Sequence, residues 1–232
     1  MNLKTDQISV VMIGASGAVG SETLKTLLQL RNVSKITILG RRIIPDLNSD
    51  KITQYNINVF NSSSYLEYLK GHTSAICTLG VGEPSKMSKE EFIKIDKTAV
   101  LDFAKSCKES GIKHFELLAS VAIDHNSSSF YLRTKGELVE ELKKLNFERL
   151  SIFQPSMILT PTNRYGISQA IILKLWPLFQ PIFWGSLRKY RGIAVNILGD
   201  SMAKNIFIEN KGFEILTWDE FNTVSAINTL HQ

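Results

Sequence analysis

Cysteine is scarce in this sequence: Cys77 and Cys107 are its only two. They stand in a predicted buried strand and a predicted helix, which argues against a disulfide framework or a cysteine-held metal cluster. A reducing, cytoplasmic setting is the expectation. No Gly/Ser/Pro-rich linker and no break in composition divides the 232 residues, 44% of them hydrophobic, so the chain reads as one domain, 1–232. Uninterrupted apolar runs are missing too. The most apolar stretch, Ile167 to Trp184, is broken by Lys174, Pro177 and Pro181, which argues against a spanning helix. Met1 to Gln7 is polar and leads straight into a strand pattern, so no signal peptide is expected. Nor does one charge dominate. Twenty-seven basic residues face 22 acidic ones, a net +5, which suits an anionic small ligand as well as it suits nucleic acid. With no base-reading motif, no nucleic-acid partner is expected.

What is present begins with Gln7-Ile-Ser-Val-Val-Met-Ile13, a charge-free run that reads as a strand buried on both faces. Gly14-Ala-Ser-Gly-Ala-Val-Gly20 follows at once, and Leu24, Leu27 and Leu28 continue at helical spacing. In the order strand, glycine turn, helix, Gly14 makes the tight turn, Gly17 leaves room for a phosphate, and Gly20 lets the helix lie close on the sheet. A pyrophosphate is then expected at the helix N-terminus, where unpaired N–H groups and the dipole favour negative charge. A tight turn that binds nothing is the alternative.

Lys35 to Leu39 reads as a second strand ending in Gly40-Arg41-Arg42. Two arginines stand where an acidic residue would hold the adenosine ribose, which favours NADP over NAD; two solvated surface arginines remain the other reading. Ile52 to Phe60 is expected as a third strand, and Ser64-Tyr-Leu-Glu67 as the capping box of a short helix ending at Gly71. Ser74 to Leu79 reads as a fourth strand that stops at Gly80 and Gly82, making Leu79 and Gly80 candidates to line a cofactor. Ser88-Lys-Glu-Glu91 is a second capping box, opening a long helix to Gly111 with Phe92, Ile95, Ala99, Phe103 and Cys107 on its apolar face. His114 to Ser120 is a fifth strand. Strands alternating with helices in this way predict a doubly wound α/β fold around a parallel sheet.

A helix is expected from Phe130 to about Leu145. At about 100° per residue, Tyr131, Lys135, Leu138, Leu142 and Leu145 share one arc, so Lys135 lies on the packing face. A lysine there needs a reason. Either it snorkels to water from the end of the stripe, or it and Tyr131 face a common ligand.

Taken together these residues resemble the short-chain dehydrogenase/reductases. Leu39-Gly-Arg-Arg42, Cys77-Thr-Leu-Gly80, Lys113 to Ser120 and Tyr131-Leu-Arg-Thr-Lys-Gly-Glu137 resemble, more closely, the atypical subgroup that contains the Tat-interacting oxidoreductase-like proteins. The resemblance implies a Rossmann fold with a cofactor core over 1–155 and a small C-terminal substrate region over 156–232. It implies that Gly14, Ser16, Gly17, Ala18, Val19 and Gly20 hold the pyrophosphate of NADP (NADPH), and that Arg41 and Arg42 hold its 2′-phosphate. Tyr131 is the implied general acid/base. Lys135 is the implied ligand of the nicotinamide ribose, and its ammonium favours the phenolate. Ser120 is implied to donate a hydrogen bond to the oxygen of a small, apolar carbonyl substrate. Ser127, Ser128 and Ser129 compete with Ser120. Three positions depart from the pattern. Asp96 stands where many relatives carry an asparagine that supports a proton-relay water. Asn58 and Asn61 are the nearest polar groups where an acid near the adenine is usual, and Pro155-Ser156 replaces Pro-Gly. The subgroup also has members with regulatory roles, so an NADP-binding scaffold with vestigial catalysis is the second expectation.

Beyond the sixth strand, Leu150 to Phe153, substrate specificity is expected between Ser156 and Gly192. Ile167 to Trp184 is expected to serve core packing, a lid, a dimer face or a membrane-surface contact, and 167–191 is the candidate stretch for a peripheral membrane or protein contact. Arg188-Lys-Tyr-Arg191 reads as a solvated loop or a meeting point for an acidic group. Ile193 to Ile208 is expected as a helix, Phe213 to Thr217 as a strand and Asp219 to Leu230 as a closing helix.

Overall fold

The computed structural model describes residues 3–4, 6–82, 86–161 and 183–227. Its centre is a seven-stranded sheet in the order β3-β2-β1-β4-β5-β6-β9, every neighbouring pair parallel. The strands are β1 (Ile8–Ile13), β2 (Val33–Gly40), β3 (Ile52–Asn56), β4 (Ser74–Cys77), β5 (His114–Leu118), β6 (Arg149–Phe153) and β9 (Gly212–Leu216). Two short strands, β7 (Ile158–Leu159) and β8 (Ile193–Ala194), pair beside it.

Strand alternation builds two cores. On β1, Val10 and Met12 face α1 (Ala18–Gln29), α5 (Val195–Asn205) and α6 (Trp218–Ser225), packing with Leu24, Leu198, Met202 and Phe221. Val11 and Ile13 face the other way, onto α3 (Val100–Glu109) and α4 (Phe130–Lys144), with Phe103, Cys107, Leu138 and Leu142. Burial on both faces is why the central strands read as charge-free apolar runs. This is the doubly wound arrangement expected from the sequence.

Several elements differ from their expected bounds. The third strand ends at Asn56, because Asn58 and Ser64 then bond to one another and turn the chain. The capping box at Ser64 does not form. Ser64 donates its hydroxyl to the carbonyls of Asn58 and Asn61, Asn61 caps instead, and the segment is two short 3-10 turns. Ser88 and Glu91 do form theirs, opening α2 (Lys89–Ile93). The helix expected to run unbroken to Gly111 passes through a π segment, Lys94–Ala99, before α3. The helix expected from Ile193 starts at Val195, since Ile193 and Ala194 belong to β8. Of the 167–191 stretch, residues 167–182 lie outside the described residues, as do 228–230 of the closing helix.

Candidate functional site

All seven strands run the same way, so their C-terminal ends share one edge of the sheet. Chain order reverses there: β1 leads to β2 on one side, and β4 joins β1 from the other. Open α/β sheets bind ligands at such a point. A cleft of about 220 Å³ lies there, lined by Gly14, Ser16 and Gly17 after β1, by Leu39 to Arg42 at the end of β2, by Val59, and by Thr78, Leu79 and Gly80 after β4.

Gly14 adopts φ +88°, and a Cβ there would sit 2.5 Å from the Thr78 backbone. The turn therefore needs glycine both for its conformation and for the close approach of β4. At Gly20 a Cβ would meet the Gly14 carbonyl oxygen at 2.3 Å, so α1 lies against the turn. Gly20 and Val19 are buried in the helix, and Ala18 opens it; these three are not among the cleft-lining side chains. No side chain caps α1, and its first turn holds no acid, which leaves N–H groups for an anion.

Arg41 and Arg42 are exposed on the cleft wall, and among the described residues neither makes an ion pair. Gln54 on β3 fixes the loop that carries them. Its side chain accepts from the Ile44 N–H at 2.9 Å and donates to the Ile44 carbonyl at 3.1 Å. Asn58 and Asn61 do not serve the cleft. Their side-chain oxygens accept from the N–H groups of Phe60 and Ser63, and Val59 lines the cleft instead. An uncapped helix start, a glycine cradle and two guanidiniums without carboxylate partners form a donor set that fits a phosphorylated dinucleotide.

Tyr131 and Lys135 sit one turn apart near the start of α4. The Lys135 ammonium lies 5.5 Å from the Tyr131 ring centroid. Lys135 does not snorkel. Its side chain is 11% exposed and donates at 2.7 Å to Oδ1 of Asp96, itself 1% exposed on the π segment. The other carboxylate oxygen of Asp96 accepts from the Val81 N–H at 2.8 Å, just after Gly80. Tyr131, Lys135, Asp96 and the exit of β4 thus form one connected group. Leaving either member of such a buried pair alone costs about 3–5 kcal/mol. Cys77, close by on β4, has its thiol pushed up to about 12 by burial and is not a nucleophile at neutral pH.

Ser120 lies just past β5 on the same edge, half-buried, its hydroxyl only 3.5 Å from the Val121 carbonyl. Val121 in turn donates to the Pro155 carbonyl, tying this turn to the end of β6. The Ser127 hydroxyl accepts from the Ser129 N–H, and the backbone carbonyls of Ser127 and Ser128 accept from Arg133, which folds these competing serines into their own loop. The sequence reading missed Thr78, Val59 and Gln54; only Thr78, directly before the expected Leu79 and Gly80, carried a signal. Groups of histidine, cysteine and carboxylate that would hold a metal are absent among the described residues. A larger cleft, about 690 Å³, opens at the opposite edge of the sheet beside Lys4, Lys113 and Arg149, away from all of these residues.

A search against models of protein families finds no match. Individual relatives do. Protein HTATIP2 of Rattus norvegicus is 34% identical over 160 residues, 68% of this chain and 66% of the rat protein. Protein FMP52, mitochondrial, of Meyerozyma guilliermondii is 30% identical over 168 residues, 71% of this chain and 72% of the yeast protein. The chain belongs to the HTATIP2/FMP52 family. That membership agrees with the subgroup resemblance read from Leu39 to Arg42 and from Tyr131 to Glu137. Among solved structures, MoeE5 in complex with UDP-glucuronic acid and NAD superposes with a TM-score of 0.68 at 16% identity, covering 90% of this chain and 75% of that one. The likeness establishes for this HTATIP2/FMP52 chain the Rossmann fold.

Proposed function

We propose that the protein is an NADP-dependent oxidoreductase that interconverts a small apolar carbonyl compound and its alcohol. The observation that carries the reading is the single cleft wall joining an uncapped helix start, a glycine cradle and two arginines without ion pairs. The backbone from Gly14 to Gly20, with Ser16, would hold the pyrophosphate, and Arg41 and Arg42 the 2′-phosphate. Leu79 and Gly80 would flank the adenosine side. The bound dinucleotide would supply or accept a hydride. Tyr131 would give its phenolic proton to the carbonyl oxygen, and Ser120 would donate a hydrogen bond to that oxygen. Lys135 has N–H donors beyond the one given to Asp96 and would bind ribose hydroxyls with them. The fungal relative is named a mitochondrial protein. A reducing compartment, cytoplasmic or mitochondrial, suits the two buried free thiols, and no helix among the described residues is long and apolar enough to cross a membrane.

The test is a titration with NADPH and NADH on the wild type and on an Arg41→Ala/Arg42→Ala variant, followed by NADPH oxidation with a carbonyl panel by wild type and Tyr131→Phe. The wild type should prefer NADPH and the double variant should not. Tyr131→Phe should bind NADPH and lose turnover. Equal affinity for the two dinucleotides in the wild type refutes NADP dependence, and unchanged turnover removes Tyr131 from the reaction. A second reading, a dinucleotide-binding regulatory protein with vestigial catalysis, is favoured by Asp96 and Pro155-Ser156 standing where the resemblance implies other residues. Rapid turnover with any member of the panel rejects it.

A further inference from the structure

Asp96 is the best-satisfied charged group near the cleft, and the least exposed. Its two oxygens accept from two different elements: Oδ1 from the Lys135 ammonium on α4, Oδ2 from the backbone N–H of Val81 at the exit of β4. The exit of β4 is cofactor-cleft wall, since Leu79 and Gly80 line it. At Gly80 a Cβ would stand 3.2 Å from Asp96 Oδ1, so a side chain at 80 would crowd the carboxylate. The π segment that carries Asp96 is tied to α4 a second time, by the Lys97 ion pair with Glu137. A π turn holds one more residue than an α turn and commonly occurs where a side chain must be aimed.

The chemistry of the two donors explains the acid. Both are donors only, and each meets its own carboxylate oxygen. An asparagine offers one acceptor oxygen and turns an NH₂ group toward the other donor, leaving either the peptide N–H or the ammonium poorly satisfied in a buried place. The resemblance places a relay asparagine here; this chain has a direct clamp.

We propose that Asp96 is a positioning residue that holds the Lys135 ammonium in place against Tyr131 and couples it to the cleft wall at Gly80 and Val81. The coupling gives the wall a mechanical consequence: a ligand that shifts residues 79–81 moves the Val81 N–H, hence Asp96, hence Lys135. The clamp itself is independent of any ligand; its role toward the dinucleotide rests on the oxidoreductase reading above.

Two measurements without cofactor test the clamp. In the wild type the ¹⁵N signal of the Lys135 ammonium, assigned by its disappearance in Lys135→Arg, should exchange slowly with water. In Asp96→Asn, competitive acylation read by mass spectrometry should label Lys135 about tenfold faster, since an amine released from its carboxylate partner leaves its buried place and reaches the reagent more readily. Lys204, paired one turn away with Asp200 on α5, reports global unfolding. Lys97→Gln, which breaks the neighbouring half-buried pair, should leave Lys135 labelling unchanged. A third measurement tests positioning: Asp96→Asn should weaken NADPH binding by about fivefold, the worth of one hydrogen bond. Fast ammonium exchange in the wild type overturns the clamp without recourse to any Asp96 variant, and so does unchanged Lys135 labelling in folded Asp96→Asn. Faster labelling with unaltered NADPH affinity overturns the positioning role. If the wild type binds no dinucleotide, the oxidoreductase reading and the positioning role both fail, while the first two measurements still decide the clamp.

Discussion

A single methyl group separates Gly14 from alanine, yet at this position it meets two obstacles. The backbone is in the left-handed region at +88°, and the space a Cβ would take is filled by the Thr78 main chain at 2.5 Å. Gly14→Ala should therefore destabilise the fold by about 2–4 kcal/mol, strain and overpacking together, which urea denaturation would read directly. A loss below about 0.5 kcal/mol, the range of ordinary surface substitutions, would mean that the turn relaxes at little cost. Gly14 was legible as a turn glycine because the run Ile8 to Ile13 stops there. Asp96 was not legible as a partner of Lys135. The two stand 39 positions apart, and the helical spacing that put Lys135 on a packing face contains no term for what it packs against. The sequence raised the question of a buried lysine, and only tertiary structure supplies the carboxylate.

At the scale of the element, the loop after β2 owes its position to β3. Gln54 accepts from and donates to the backbone of Ile44, two bonds that brace the turn holding Arg41 and Arg42. Gln54→Leu removes both without touching a charge. NADPH affinity should fall by about five- to tenfold, about 1–1.4 kcal/mol, the low end of what two hydrogen bonds contribute, while NADH affinity stays level; calorimetric titration with each dinucleotide would check it. An equal loss for both would show that the brace shapes the whole cleft. The two Ser-x-x-Glu patterns show how far local signals carry. Ser88 and Glu91 cap a helix as expected, whereas the Ser64 hydroxyl goes to Asn58 and Asn61. Both serines have the right spacing, but two asparagines just upstream of Ser64 offer nearer backbone partners. Likewise the apolar face read through residues 92–107 slips at the π segment, where Ile95 is half-buried and Asp96 is buried. A continuous 3.6-residue period cannot announce a wider turn.

For the whole molecule, the network beneath β5 and β6 sets a pH dependence. Burial pushes Glu116 up to about 8, with Arg149 only partly opposing it, and its Oε1 accepts from Asn205 at 2.7 Å while Oε2 has no partner. Burial also holds His114 well below its ordinary 6.5, with Arg149 adding to the effect. The two act in opposite directions. Glu116, raised in the folded state, contributes fully below its unfolded value of 4.5, and that contribution is lost as pH rises toward 8. His114, depressed, makes stability rise with pH only until about 6.5. Above that, of these two, the Glu116 slope remains, so Tm should fall between pH 6.5 and 8. Glu116→Gln, which keeps an oxygen for Asn205, should flatten the fall, as scanning calorimetry across that range would record. A parallel slope in both proteins would assign the dependence elsewhere. The order of the strands has a further consequence. β1 ends at residue 13, but its second neighbour begins only at residue 74. During synthesis the amino-terminal hairpinless half therefore waits with one flank of its central strand bare. The cleft at the strand ends acquires its floor only when Thr78 to Gly80 have left the ribosome and docked.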